Sequence, residues 1–343
     1  MMRRLFCRAL LVIATIFVIL MFSGLMSAHG NSDNAFEHVK QVQEKHTAKL
    51  LALKGVVGTA VGVDTEENPN IKVFVEGPGV AGIPKKLDEV NVEVVVTGKI
   101  YAMPQLEEKA ARTRIDPTAW FARPVPIGVS TGNIGEISAG TISCRVKSSS
   151  GTLFALSNNH VYALENDAPI GSYVLQPGRY DGGTSPDDVI GTLSDYVPID
   201  FDGSNTIDAA IATIIKDGTT PRVGKSTPSN GYGTPLSATV PAEVNMKVQK
   251  YGRTSSLTKG TITAFNATLN IGYSSGTALF TNQIIVQSSR PFLKAGDSGS
   301  LLVTSPGKNP VGLLFAADAS GKYAIANDIG TVLDAFNVTI DGQ

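Results

Sequence analysis

The sequence predicts a mostly β protein, two antiparallel β-barrels preceded by a small α+β unit. Three observations carry that expectation. From about residue 127 onward, short runs rich in Val, Ile and Thr alternate with clusters of Gly, Pro, Asn, Asp and Ser, the punctuation of strands and turns. A turn-rich gap at 216–236 divides these runs into two sets of about five to seven strands, enough for a pair of barrels. Helix-length amphipathic patterning is scarce, and its clearest stretch lies before residue 55.

Residues 1–28 begin with Arg3, Arg4 and Arg8, continue through the apolar run 9–22, and end in the small residues Ser23, Gly24, Ser27 and Ala28. That is the order of a secretory signal peptide, so export is expected. A retained segment, nearly long enough to span a bilayer, would anchor the protein to a membrane instead. Over 35–103 the text suggests a small α+β unit, either a propeptide or an accessory domain. Phe36, Val39, Val42, His46, Leu50 and Leu53 recur at helical spacing, and Gly55 stops the helix. Strands are expected at 56–63, 71–76 and 90–97, with a helical turn opening at 84–87. His38 and His46 read as ordinary helix residues.

Residues 104–126 read as a linker. Glu107, Glu108, Lys109, Arg112, Arg114 and Asp116 mix charges ahead of Pro117, Trp120, Pro124 and Pro126, which makes this an exposed place for proteolytic processing. The remainder, 127–343, is the double-barrel domain. It opens with a hairpin whose strands, 139–147 and 152–157, flank a Ser-Gly turn, and continues with strands at 172–175, 189–193 and 207–215. The second set is expected at 237–241, 247–251, 258–267, 269–273, 282–287, 300–304, 311–317 and 323–327. Asp328 can cap a closing helix through Val332, Leu333 and Phe336.

Composition excludes several functions. With a formal net charge of −1 and only 17% charged residues, the chain lacks the basic face of a nucleic-acid binder. Cys7 falls in the leader and Cys144 alternates with apolar strand residues, so neither a disulfide nor a reactive thiol is expected. His29, His38, His46 and His160 show no metal-ligand spacing, and Asp187 with Asp188 is an incomplete calcium loop. No metal and no cofactor is expected. The run 249–254 lacks the Gly-rich loop and the helix-start lysine of a phosphate-binding motif and reads as a hairpin.

Three residue types remain for chemistry. Gly296-Asp297-Ser298-Gly299-Ser300 is a tight turn that can hold a serine on a sharp bend with amide N–H groups converging beside it. His160 follows Ser157-Asn158-Asn159 at a strand end and is the one histidine of the β body. Asp208 is an acid inside the apolar run 207–212, where it needs a hydrogen-bonding or cationic partner. Asp200 and Asp202 sit in solvated Gly- and Ser-rich surroundings. The order His160, Asp208, Ser298, with gaps of about 50 and 90 residues, is that of a His/Asp/Ser triad in double-barrel peptidases.

On these motifs, and on the following Gly312-Leu313-Leu314-Phe315-Ala316-Ala317 run, the sequence resembles the chymotrypsin-like (trypsin-like) serine peptidases in a disulfide-free bacterial form, over residues 127–338. The resemblance implies two six-stranded-type barrels and an exported serine endopeptidase acting on protein or peptide substrates. In it Ser298 is the nucleophile, His160 the base and Asp208 the group that orients the imidazole. The N–H groups of Gly296 and Ser298 form the oxyanion hole, and Phe292, Phe315 and Ala317 line the substrate pocket. Phe292 gives no acidic floor, so an apolar or small residue before the cut is expected. Ser300 stands for a second glycine, and Phe315 for a serine that helps hold the acid in many members. Asp297 needs a cation, from a new amino terminus or an arginine such as Arg253. The alternative is a catalytically inactive peptide-binding module on the same barrels.

Overall fold

The computed structural model describes residues 34–102 and 115–343. The signal segment and much of the expected linker lie outside those residues. Helix α1 (34–51) comes first, followed by β1 (Val56–Val63), β2 (Pro69–Val75), β3 (Lys86–Leu87), β4 (Val90–Val96) and β5 (Ile100–Ala102). The amphipathic period of α1 sets its contacts. Val39, Val42 and Leu50 are buried with Val61, Ile71, Val73 and Val75 of β1 and β2. The helical turn expected at 84–87 is instead β3, which forms a hairpin with β4 across Asp88 and Glu89, both at positive φ.

The next ten strands are β6 (Ser130–Asn133), β7 (Gly140–Thr141), β8 (Cys144–Ser148), β9 (Leu153–Ser157), β10 (Tyr173–Leu175), β11 (Val189–Tyr196), β12 (Ser204–Asn205), β13 (Ala210–Ile214), β14 (Lys216–Asp217) and β15 (Thr220–Pro221). A one-turn helix, α2 (Asn159–Tyr162), follows β9. Strands β6 to β11 and β13 curl into one sheet, completed by the C-terminal strand β22 (Val338–Ile340) against β8. Backbone bonds between Gly128, Val129 and Ile142 draw the sheet around its core. Cys144 is buried there, and burial pushes its thiol up to about 12, so it is an inert core group.

The second barrel is a closed ring of six antiparallel strands. These are β16 (Lys247–Gly252), β17 (Ser256–Gly272), β18 (Thr277–Gln287), β19 (Leu301–Thr304), β20 (Pro310–Asp318) and β21 (Tyr323–Asp328). Pairing runs β16–β17–β18–β21–β20–β19 and back to β16, so every strand of the ring has two neighbours. Helix α3 (Ile329–Ala335) follows β21 and leads to β22, capped by Asp328, whose Oδ1 accepts from Thr331 N at 2.8 Å.

Two strands were expected between 258 and 273, and one 17-residue strand is found. Its register shifts against β18 near Ala264 and Ala267, and Asn266 there takes φ 50°. These bulges bend β17 so that it pairs with β18 along the barrel and with β1 on its other edge. The α+β unit is therefore joined edge to edge with the second barrel in a single 12-stranded sheet. Residues at the end of the expected linker pack on the first barrel, where Val125 N donates to Arg222 O at 2.8 Å and Gly224 N to Val125 O at 2.8 Å.

Candidate active site

His160 stands on α2, immediately after the core strand β9. Its Nδ1 lies 2.6 Å from Asp208 Oδ2, and both side chains are buried. Asp208 precedes β13, which pairs with β9, so the sheet register brings acid and imidazole together. Three further bonds fix the acid. His160 N donates to Asp208 Oδ1 at 3.3 Å, Asn158 Nδ2 to the Asp208 carbonyl at 2.8 Å, and Asp208 N to Asn327 Oδ1 at 3.0 Å. Tyr273, at the end of the long β17, donates its hydroxyl to Asp208 Oδ2 at 2.9 Å. Burial, with the adjacent carboxylate, pushes the Tyr273 hydroxyl well up, so it stays protonated and remains a donor. This is the support for the acid that Phe315 left open in the sequence, and a tyrosine distant in the chain gave no local signal for it.

With Nδ1 bonded to the acid, His160 Nε2 is the free nitrogen. It is buried and has no hydrogen-bond partner among the described residues. A ring held at one nitrogen and open at the other can take a proton from a hydroxyl and pass it on.

The Ser298 turn sits between the barrels. Gly296 and Gly299 adopt φ 88° and 93°, a region that disfavours side chains. A Cβ on Gly299 would stand 2.3 Å from both Ser157 Oγ and the Thr141 carbonyl oxygen, so the turn lies directly against the strand that leads to His160. Thr141 N donates to Ser298 O at 2.8 Å and Thr141 Oγ1 to Gly296 O at 2.8 Å. On the other side, Gly299 N donates to Leu314 O and Leu314 N to Ser300 O, pinning the turn to β20. Among the described residues the backbone N–H groups of Gly296 and Ser298 donate no hydrogen bond, leaving two donors for an incoming oxygen. Ser298 Oγ donates to Phe315 O at 3.3 Å and makes no bond to His160 in this arrangement. That contact is long for an O–H donor, so little opposes turning the hydroxyl away.

The cation of Asp297 is neither an amino terminus nor Arg253. Lys250 Nζ lies 3.0 Å from Asp297 Oδ2, with both side chains wholly buried. Thr254 N, Ser255 N and Lys294 N, at 2.8, 3.0 and 3.0 Å, and the Ser255 hydroxyl complete the carboxylate's shell. Burial opposes the charge on Asp297, but Lys250 and these bonds outweigh it and hold the carboxyl below the usual range. Arg253 is occupied elsewhere, donating Nε to Asp181 at 2.8 Å.

The three residues assigned to a substrate pocket are buried as well. Phe292 is packed with Val248, Ile262 and Leu302 in the second barrel's core, and its backbone N–H bonds Gly321 O. Phe315 lies in the core at 4.9 Å from the Phe280 ring. Ala317 faces β5, whose residues Ile100, Tyr101 and Ala102 pair antiparallel with Asp318, Ala317 and Ala316. Strand β5 thus runs along β20 just beyond the point where the Ser298 turn is attached.

A closed antiparallel barrel and a curled β sheet meeting at this turn define a chymotrypsin-like two-barrel fold. Among known proteins, residues 209–340 match the family model described as the Nal1 C-terminal domain. No curated protein matches the sequence. Among solved structures, the chain is similar to a glutamic-acid-specific serine protease, at 21% identity over 63% of this chain and 100% of that one, with TM-score 0.46. It is also similar to a Nocardiopsis protease (16%, 63% and 99%, TM-score 0.46) and to Thermobifida fusca protease A (19%, 64% and 100%, TM-score 0.45).

Proposed function

We propose that this chain is an exported serine endopeptidase whose N-terminal α+β unit is a propeptide covering its substrate edge. The observation that carries the reading is the buried His160–Asp208 pair with Nε2 unpartnered, beside a serine turn that has two free N–H groups. Ser298 Oγ attacks the peptide carbonyl while His160 Nε2 takes its proton, and the oxygen's charge is received by Gly296 N–H and Ser298 N–H. His160 returns the proton to the departing amine. Water then repeats the sequence on the acyl-enzyme, releasing the acid and restoring Ser298.

Support for the propeptide role comes from β5. A peptide strand binds most readily to a sheet edge with unpaired N–H and C=O groups. The segment of β20 next to Ser298 is such an edge, and β5 fills it. Release would follow cleavage in the mixed-charge stretch 104–126. Among the described residues no helix is long and apolar enough to cross a membrane.

The bond from Ser298 Oγ to Phe315 O, in place of one to His160, favours a second reading, a peptide-binding module without turnover. Hydrolysis of unfolded protein by the full chain after self-processing separates the two. Ser298→Ala and His160→Ala are each expected to abolish it to a similar extent, because triad members act as a unit. Peptide binding with no hydrolysis by the unmutated protein would select the module.

A further inference from the structure

A cavity of about 530 Å³ opens beside His160, and its walls carry negative charge. Glu136 comes from the loop after β6, and Glu165 and Asp167 come from the segment after α2. No lysine or arginine lines it among the described residues. Arg179, bonded to the Ile134 carbonyl, is committed outside. Leu164 and Ala168 supply apolar wall.

Glu165 is the built part of the site. It is 8% exposed, and its carboxylate accepts from Ser274 Oγ and Ser275 N, both at 2.8 Å, and from Ser274 N at 3.2 Å. Those serines lie at the tip of the β17–β18 hairpin, so the carboxylate bridges the two barrels across the cavity mouth. Burial works against its charge, but the Ser275 and Ser274 bonds prevail and hold the carboxyl below the usual range. Leu164, Glu165 and Asn166 all take positive φ, at 53°, 55° and 84°, a costly run for side-chain-bearing residues. Asn159 Nδ2 bonds Asn166 Oδ1 at 2.8 Å and keeps the run in place. His160, 3% exposed with Nε2 unpartnered, faces the same space.

We infer that this cavity takes a basic side chain, lysine or arginine, from the peptide bound at His160, at a position other than the one preceding the cut. The aliphatic stem would lie on Leu164 and Ala168, and the cationic head would meet Glu136 and Asp167 in the field of the anchored Glu165. The inference rests on the peptidase reading for its substrate, but the cavity's preference for a cation can be measured without turnover. Exposed ion pairs such as those with Glu136 and Asp167 give a preference of about two- to fivefold, reduced by salt.

The test uses the full chain with Ser298→Ala, titrated with Nα-acetyl-arginine methylamide and with its uncharged citrulline counterpart, while the His160 imidazole signals are followed by NMR. The arginine probe is expected to saturate at a concentration about two- to fivefold lower. Glu136→Gln with Asp167→Asn should bring the two probes together while the unfolding midpoint stays in place. Equal binding by the unmodified cavity, or a preference that survives the double change, would overturn the assignment. In parallel, the self-processed protein is given a peptide library, in which enrichment of lysine or arginine at one position supports the inference. A retained arginine preference in the titration with no peptide cut would support the cavity and contradict the peptidase reading alone.

Discussion

Lys250 and Asp297 decide whether the Ser298 turn keeps its shape. The ammonium is wholly buried, and burial pushes it down, an effect that Asp297 at 3.0 Å opposes. Replacing it with Lys250→Met leaves a buried carboxylate without a cation, and the expected cost is about 3–5 kcal/mol, read from urea unfolding. The carboxyl's folded value lies below its unfolded one. Its contribution is therefore complete above about pH 4, the ordinary carboxylate value, and is lost as pH falls through the depressed value. Asp297→Asn should accordingly flatten the acid limb of the stability curve. The need for a cation at Asp297 was legible in the sequence, but its identity was not. In 247–252 the alternation of a strand gives Lys247 and Lys250 opposite faces, and only closure of the barrel decides which one turns inward. Tyr273 was illegible for a related reason, since it reaches Asp208 by a 17-residue strand and not by local spacing. Tyr273→Phe removes one hydrogen bond to a buried charge, so kcat should fall about 10- to 100-fold while KM changes little, as steady-state kinetics would register.

Among the elements, β5 is the shortest with a large consequence. It is paired on both sides, parallel with β17 at Ile271 and Gly272 and antiparallel with β20. A proline there removes a ladder donor and constrains the backbone. Tyr101→Pro is expected to free the edge of β20 and raise the initial rate of peptide hydrolysis by the unprocessed chain several-fold, as a fluorogenic progress curve would record. An unchanged lag and rate would mean that β5 does not compete with substrate. The sequence marked most strands because their Val, Ile and Thr runs end at turn residues. It was less informative where one residue's conformation decides, as at Asn266, whose bulge fuses two expected strands, and at Asp88 and Glu89, whose positive φ makes a hairpin of an expected helical turn. The three-residue β5 carries no pattern of its own and exists through its partners.

Across the whole molecule, the α+β unit and the second barrel share one sheet, while the first barrel supplies His160 and Asp208. Ser298 lies where these parts meet. The bent β17 is the common member, pairing with β1, closing the barrel and carrying Tyr273 to the acid. This explains how a unit outside the barrels can bear on the site, a relation that short-range patterning in the sequence does not express. The proposed chemistry rests on one oxygen atom, Ser298 Oγ, made nucleophilic by His160. The direct measurement is covalent labelling of the self-processed protein by a fluorophosphonate, with the adduct located by peptide mass spectrometry. A single adduct on Ser298 is expected, lost in His160→Ala although that variant remains folded. A processed, folded protein that takes no label at Ser298, or takes it equally well without His160, would contradict it.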